Sequence, residues 1–230
     1  MKVVLFDIDG TLLRTDGAGR RAVHRALEDV YETSVPHGIE FDGKTDPQIV
    51  RELMRLAGLD DPRIDERLSR VLDRYVTLLQ TELSGLDGSS NVMPGVPPLL
   101  DALDARDDVL LGLLTGNVHD GATAKLEAVG IGTGRFKVGA FGSDHELRPQ
   151  LPAIARTRAE ALLGHEVRGE DVVVIGDTPA DMGCGQGIGA RAIGVATGRY
   201  SVDELHACRP LAVFQDLSDT ATVVRTIVES

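Results

Sequence analysis

Cysteine is scarce in this chain of 230 residues: Cys184 and Cys208 are the only two. They cannot build a disulfide framework, and their spacing matches neither a zinc site nor a redox pair, so both read as small buried thiols of a reducing compartment. Lysine is scarcer than arginine, with four among the 24 basic residues, and 36 acids leave a net charge of −12. A chain without a basic surplus has nothing to neutralise a phosphate backbone, which excludes nucleic acid as a generic partner. Any anionic ligand must be drawn in by local charge. No apolar run approaches the length that spans a bilayer, and the run after Met1 meets Asp7 too soon to serve as a signal peptide. A cytoplasmic protein without a membrane partner is the expectation. Internal repeats and low-complexity tracts are absent too.

What the chain does have is length enough for one good core with a smaller insertion. Short apolar runs recur at 2–6, 109–114, 138–141, 172–175, 192–196 and 212–214, most of them continuous, as in strands buried on both faces of a parallel sheet. Helix-like stretches at 120–129, 151–163, 179–186 and 218–229 lie among them. Strand alternating with helix predicts an α/β fold with a doubly wound parallel sheet. About a hundred residues separate the first two strands, far more than a crossover needs. Within that interval 20–30, 46–56 and 63–83 carry apolar residues at three- and four-residue spacing, as in Ile49, Leu53 and Leu56. Residues 15–90 are therefore assigned to an inserted helical module, and 1–14 with 91–230 to the core. The Gly-Ser-Ser-Asn stretch at 88–91 and Pro94-Gly95 mark the return.

Asp7 and Asp9 end the first strand and are followed by Gly10-Thr11. Residues two apart in a strand share a face, so both carboxylates meet one spot while Ile8 packs away from it. Gly10 permits a sharp turn, and ligands of open α/β sheets collect at that carboxyl edge. One carboxylate, Asp7, suits nucleophilic attack on phosphorus. The other, Asp9, suits protonating the leaving oxygen and then deprotonating water. Two aspartates opening a turn are an equally good reading of this motif alone. Thr115-Gly116-Asn117, however, ends the second core strand with a hydroxyl and a backbone amide suited to a phosphate oxygen. Asp177 ends a later strand on the same edge, with Asp181 one helical turn on. Magnesium prefers six oxygens and keeps some waters, so Asp7 and Asp177 with a carbonyl and a substrate phosphate make a plausible Mg2+ site.

In this order the motifs resemble the haloacid dehalogenase superfamily, in its phosphoglycolate phosphatase-like branch, over essentially the whole chain: Asp7-Ile8-Asp9-Gly10-Thr11, Thr115-Gly116-Asn117, and Gly176-Asp177 with Asp181. The resemblance implies a Rossmann-like core with a helical cap inserted after the first motif. It implies magnesium held by Asp7, the Asp9 carbonyl and Asp177. It also implies Asp7 as nucleophile, Asp9 as acid and base, and Thr115 as a phosphate ligand; Gly116 and Asn117 beside it are substrate-binding candidates. The family's third motif usually offers a lysine. Here Arg148, before Pro149, is the best-placed cation, and its rigid fork makes the exchange a real one. Lys125, inside an expected helix, and Lys137, at the start of a strand, are rivals.

Phe41-Asp42-Gly43-Lys44-Thr45-Asp46 reads as a loop that starts a helix, with Thr45 or Asp46 as cap and Pro47 in the first turn. By the resemblance, Lys44 meets a substrate anion when the cap closes. The glycines from 183 to 189 follow a helix rather than a strand, so they read as a helix exit and not a dinucleotide fingerprint. His119 and His145 lie near the motifs, and Asp144 either joins the acidic edge or belongs to a turn. The expectation is a Mg2+-dependent phosphatase that takes a small phosphorylated metabolite, phosphoglycolate foremost, through an aspartyl-phosphate. A sugar phosphomutase and a non-catalytic phosphate-ligand-binding protein are the alternatives. A dehalogenase is disfavoured by the acid at Asp9.

Overall fold

The computed structural model describes residues 1–85 and 91–229. Its strands are β1 (Lys2–Phe6), β2 (Val109–Leu114), β3 (Val138–Ala140), β4 (Val172–Gly176), β5 (Arg191–Val195) and β6 (Ala212–Phe214). They form one parallel sheet in the order β3-β2-β1-β4-β5-β6. Side chains alternate across it. Val4 and Phe6 join Leu99, Leu126 and Val223 from α4 (Val96–Asp104), α5 (His119–Ala128) and α9 (Thr220–Val228), whereas Val3 and Leu5 join Leu151 and Ala155 of α6 (Leu151–Leu163). Helices on both faces explain why the strands read as continuous apolar runs. The doubly wound, Rossmann-like core is thus the observed architecture, with a helical cap inserted after β1.

That insertion packs on its own core. α1 (Ala18–Tyr31), α2 (Asp46–Leu56) and α3 (Asp61–Leu83) bury Val23, Leu27, Leu53, Ile64 and Leu79 in a second apolar cluster. At the start of α2 the Thr45 hydroxyl accepts from the Gln48 N–H (3.2 Å), and Pro47 fills the first turn. Leu56, expected on the buried face, is instead exposed at the last position of α2.

Boundaries moved where side chains compete for the backbone. β3 stops at Ala140 because the Phe141 N–H donates to Asp144 Oδ2 (2.9 Å). α7 (Pro179–Cys184) tightens into a 3-10 turn at Gly185–Ile188 before the expected end at 186. α4, opening after Gly95 at φ 79° with Pro97 and Pro98 in its first turn, was not foreseen, nor was the six-residue α8 (Val202–Ala207). Cys184 is buried as expected, but Cys208 is only half-buried, at the end of α8. Of the expected Gly-Ser-Ser-Asn return, 88–90 lie outside the described residues. Among the described residues no helix is long and apolar enough to cross a membrane.

Candidate active site

β1 lies between β2 and β4, so the carboxyl ends of three strands meet where the strand order reverses. Crevices of this kind are where open α/β sheets bind ligands. The Asp7 N–H donates to Ile175 O (2.9 Å), which carries the β1–β4 ladder one step past the end of β1 and brings Asp7 near Asp177, just beyond β4. Three carboxylates gather there: Asp7, Asp177 and Asp181 are all buried, with one oxygen from each within 4.8 Å of the others. A side chain at Gly10 (φ 82°) or at Gly198 would overlap the Asp177 carboxylate, so glycine at both positions keeps the cluster open.

Arg148, in the 3-10 turn that precedes α6, reaches this cluster with a side chain only 5% exposed. Its Nη2 donates to Asp181 Oδ1, lies 3.1 Å from Asp7 Oδ1, and also reaches Leu114 O (3.4 Å). Burial alone would weaken the guanidinium's hold on its proton, but the Asp181 and Asp7 charges outweigh that and raise its pKa. The other Asp181 oxygen accepts from the Thr178 N–H (3.0 Å) and hydroxyl (2.7 Å), a capping box at the start of α7. With Oδ2 filled by these two donors and Oδ1 against the guanidinium, Asp181 orients Arg148. Asp7 and Asp177 are the members of the cluster more open to a cation.

The energetics of that pair fit a divalent ion. Burial pushes the Asp7 carboxyl up to about 6; Arg148 opposes this, and Asp181 and Asp9 add to it. Asp177 is pushed further, to about 9, by burial and then by the Asp181 and Asp7 charges, although the Thr11 hydroxyl donates to its Oδ1 (3.1 Å). Hard carboxylate oxygens that repel one another in a buried site suit a small dication, which would let both ionise. The donor set therefore fits a divalent metal.

Across the cleft Asp9 is held differently. The Lys125 ammonium donates to both its oxygens (2.8 and 2.7 Å) and to Asn117 Oδ1 (2.6 Å). Asn117 Nδ2 donates to Asp9 Oδ2 (2.7 Å) and to Thr115 Oγ1 (2.8 Å). Thr115 spends its N–H on Ala140 O (3.1 Å), so its backbone amide is not free for phosphate, but its hydroxyl still has a proton to donate. Lys125 is a correction to the sequence reading. A position inside a helix argues for a rival further from the strand edge, yet α5 starts just past the β2 edge and its second turn carries Lys125 into the site. Both cations are present, Arg148 on Asp7 and Lys125 on Asp9.

The cap closes the cleft through one loop. The Asp46 N–H donates to Gly116 O (2.8 Å), Asp46 Oδ2 accepts from the Val118 N–H (2.8 Å), and the Thr45 hydroxyl donates to Glu146 O (2.6 Å). Gly116 admits this approach, because a side chain there would overlap Lys44 O. Asp46 is also pushed up to about 6, chiefly by burial, and hydrogen-bonds Tyr75 of α3. Sequence reasoning saw Asp46 only as a helix starter and did not see Tyr75. The loop and α1 enclose a cavity of about 230 Å3, lined by Asp7, Asp9, Thr115, Lys44, Arg20 and Tyr75 among others. Lys44 lines it while paired with Glu52. The remaining candidates fall outside. Lys137 donates to Gly134 O (2.6 Å), Asp144 is gripped by Arg158 (2.7 Å twice), and His119 packs edge-on against Phe141. His145 accepts from the Leu147 N–H (2.9 Å).

A chain with this sheet, this insertion and this acidic strand edge matches the haloacid dehalogenase-like hydrolase family over residues 1–189, and it belongs to that family. It is 27% identical, over 99% of its length and 95% of the relative's, to a probable phosphatase, IndB, of Dickeya dadantii (strain 3937). It is equally similar, with the same coverage, to a 5'-nucleotidase of Pseudomonas aeruginosa. The structure superposes on a beta-phosphoglucomutase from Clostridium difficile with a TM-score of 0.73, covering 100% of this chain and 98% of that one. At 15% identity that likeness speaks for the fold alone.

Proposed function

We propose that the protein is a Mg2+-dependent phosphatase that hydrolyses a small organic phosphate monoester, with residues 15–90 as its cap and 1–14 with 91–230 as its catalytic core. The observation that carries this is Asp7: a buried carboxylate at the strand edge, facing a cation on one side and a metal-ready acid on the other.

Asp7 attacks phosphorus and forms an aspartyl-phosphate, splitting one hard hydrolysis into two easier steps. Asp9 protonates the departing oxygen, then takes a proton from the water that releases phosphate. Thr115 Oγ1, the Gly116 amide and Asn117 hold phosphate oxygens, and Arg148 supplies the positive charge that a phosphoryl group requires among so many acids. Its contact with Asp7 supports catalysis over ligand binding alone. Asp7, the Asp9 carbonyl and Asp177 are the residues that would hold Mg2+, with Asp181 supporting them through Arg148. When bound, the ion neutralises charge on the phosphate and lets Asp7 and Asp177 ionise together.

A cavity of about 230 Å3 is smaller than the roughly 300–1,000 Å3 of drug-sized sites, which supports a short substrate such as phosphoglycolate. Arg20 on its cap side suits a second acidic group, and Lys44 would join it on leaving Glu52. Two similarities define the competing substrates: the 5'-nucleotidase relative points to nucleoside monophosphates, and the mutase neighbour to sugar phosphates. Phosphate release from phosphoglycolate, nucleoside monophosphates and sugar phosphates, with Mg2+ and with excess chelator, tests the proposal. Mg2+-dependent release, fastest from the short acidic ester, is expected. Interconversion of sugar phosphates without net release would make it a mutase, and no turnover of any ester would reject the enzyme reading.

A further inference from the structure

Lys125 has no part in the steps above, yet every proton of its ammonium is committed to them. Its side chain is 5% exposed, a placement that costs free energy unless the charge is matched. The three donors go to Asp9 Oδ1, Asp9 Oδ2 and Asn117 Oδ1. A point charge astride both oxygens fixes the carboxylate's distance, and Asn117 Nδ2 on Oδ2 alone fixes its rotation. Lys125 also sets Asn117: with Oδ1 turned to the ammonium, Nδ2 must face Asp9 and Thr115. The result is one row, from Lys125 through Asp9 and Asn117 to Thr115, that ties the proton-transfer group to the phosphate-holding hydroxyl.

Each carboxylate oxygen offers two lone-pair directions. On Asp9 Oδ2 both are taken, by Lys125 and Asn117, while Oδ1 has one taken, by Lys125. The second direction on Oδ1 is therefore the one left for a transferred proton.

We infer that Lys125 is a positioning residue for proton transfer: it holds the Asp9 carboxylate with Oδ1 turned toward the leaving oxygen. The inference rests on the phosphatase reading, with Asp9 as acid and base. A mispositioned acid matters most where the leaving group is a poor one, because a stable leaving anion departs without a proton. In Lys125→Met the chain length is kept and the charge removed. Its kcat/KM, which reports the steps through departure of the leaving group, is expected to fall about 100-fold for phenyl phosphate and less than about threefold for p-nitrophenyl phosphate. Equal losses across a graded series of aryl phosphates would overturn the positioning role and leave Lys125 a structural cation. Thermal unfolding and the shift produced by Mg2+ report whether the variant folds and keeps its metal site. Should Lys125→Met fail to fold, Lys125→Gln, which retains one donor to Asp9, is read by the same series. A wild type inactive on every aryl phosphate and metabolite ester would defeat the phosphatase reading itself, an outcome distinct from parallel losses in the variant.

Discussion

Arg148 shows how much one side chain carries at this site. It is buried between Asp7 and Asp181, and truncating it removes the cation that both carboxylates face. Breaking a buried pair of this kind costs about 3–5 kcal/mol. Arg148→Ala is therefore expected to lower the melting temperature by roughly 6–20 °C, at 2–4 °C per kcal/mol for a chain of this size, and to abolish turnover. Arg148→Lys keeps the charge that Asp7 and Asp181 need but gives up the fork, so it should fold and retain measurable activity. A melting curve and a phosphate assay on both variants decide. If Arg148→Ala is as stable and active as wild type, the cation role passes from Arg148. The sequence motif could nominate Arg148 but not its two partners. Its contact with Asp181 depends on the capping box that turns that carboxylate inward, visible only once α7 is placed against β4.

At the level of elements, the strand edges were legible and the loop between cap and core was not. Asp7, Thr115 and Asp177 each follow an apolar run and have Gly10, Gly116 or Pro179 within three residues, a local pattern that requires no tertiary knowledge. Lys125, Asp46 and Tyr75 lie on helices whose phase relative to the sheet is set by packing, so their aim could not be read from spacing. Asp46 gives that junction a pH signature. Its folded carboxyl is raised from 3.8 to about 6, chiefly by burial, so the folded chain holds a proton that the unfolded chain has released in between. The stability it contributes is full below the unfolded value and lost as pH rises through about 6. Asp46→Asn cannot ionise. Its stability relative to wild type should rise by about 3 kcal/mol between pH ~4 and neutrality, since one pKa unit is worth about 1.4 kcal/mol. Asp7 and Asp177 titrate in both proteins and cancel in the difference. Denaturant unfolding of both across that range measures it, and a pH-independent difference would show that Asp46 is not held uncharged.

For the molecule as a whole, the central acids stand in a chain that is already at −12, so ion binding and folding are linked. Metal bound to the folded state alone stabilises it by about 2.7 kcal/mol at a hundredfold excess over Kd. Mg2+ should raise the wild-type melting temperature by roughly 5–10 °C, chelator should reverse the shift, and Asp177→Asn should lose it. A shift retained in Asp177→Asn would place the ion elsewhere. The division into sheet and helical insertion was foreseeable at this scale, because about a hundred residues of helical period cannot be a crossover. The closeness of the cap was not, since it depends on Gly116 admitting the Lys44 carbonyl.

Every role proposed for the site depends on Asp7 becoming phosphorylated. A single turnover with a hydrolysable ester and Mg2+, quenched rapidly in acid and analysed by peptide mass, tests it most directly. One phosphoryl group is expected on the peptide that carries Asp7, absent from Asp7→Asn, which should also lose at least about 1,000-fold in turnover. Sustained phosphate release with no protein-bound phosphoryl group, or with the group on another residue, would contradict it.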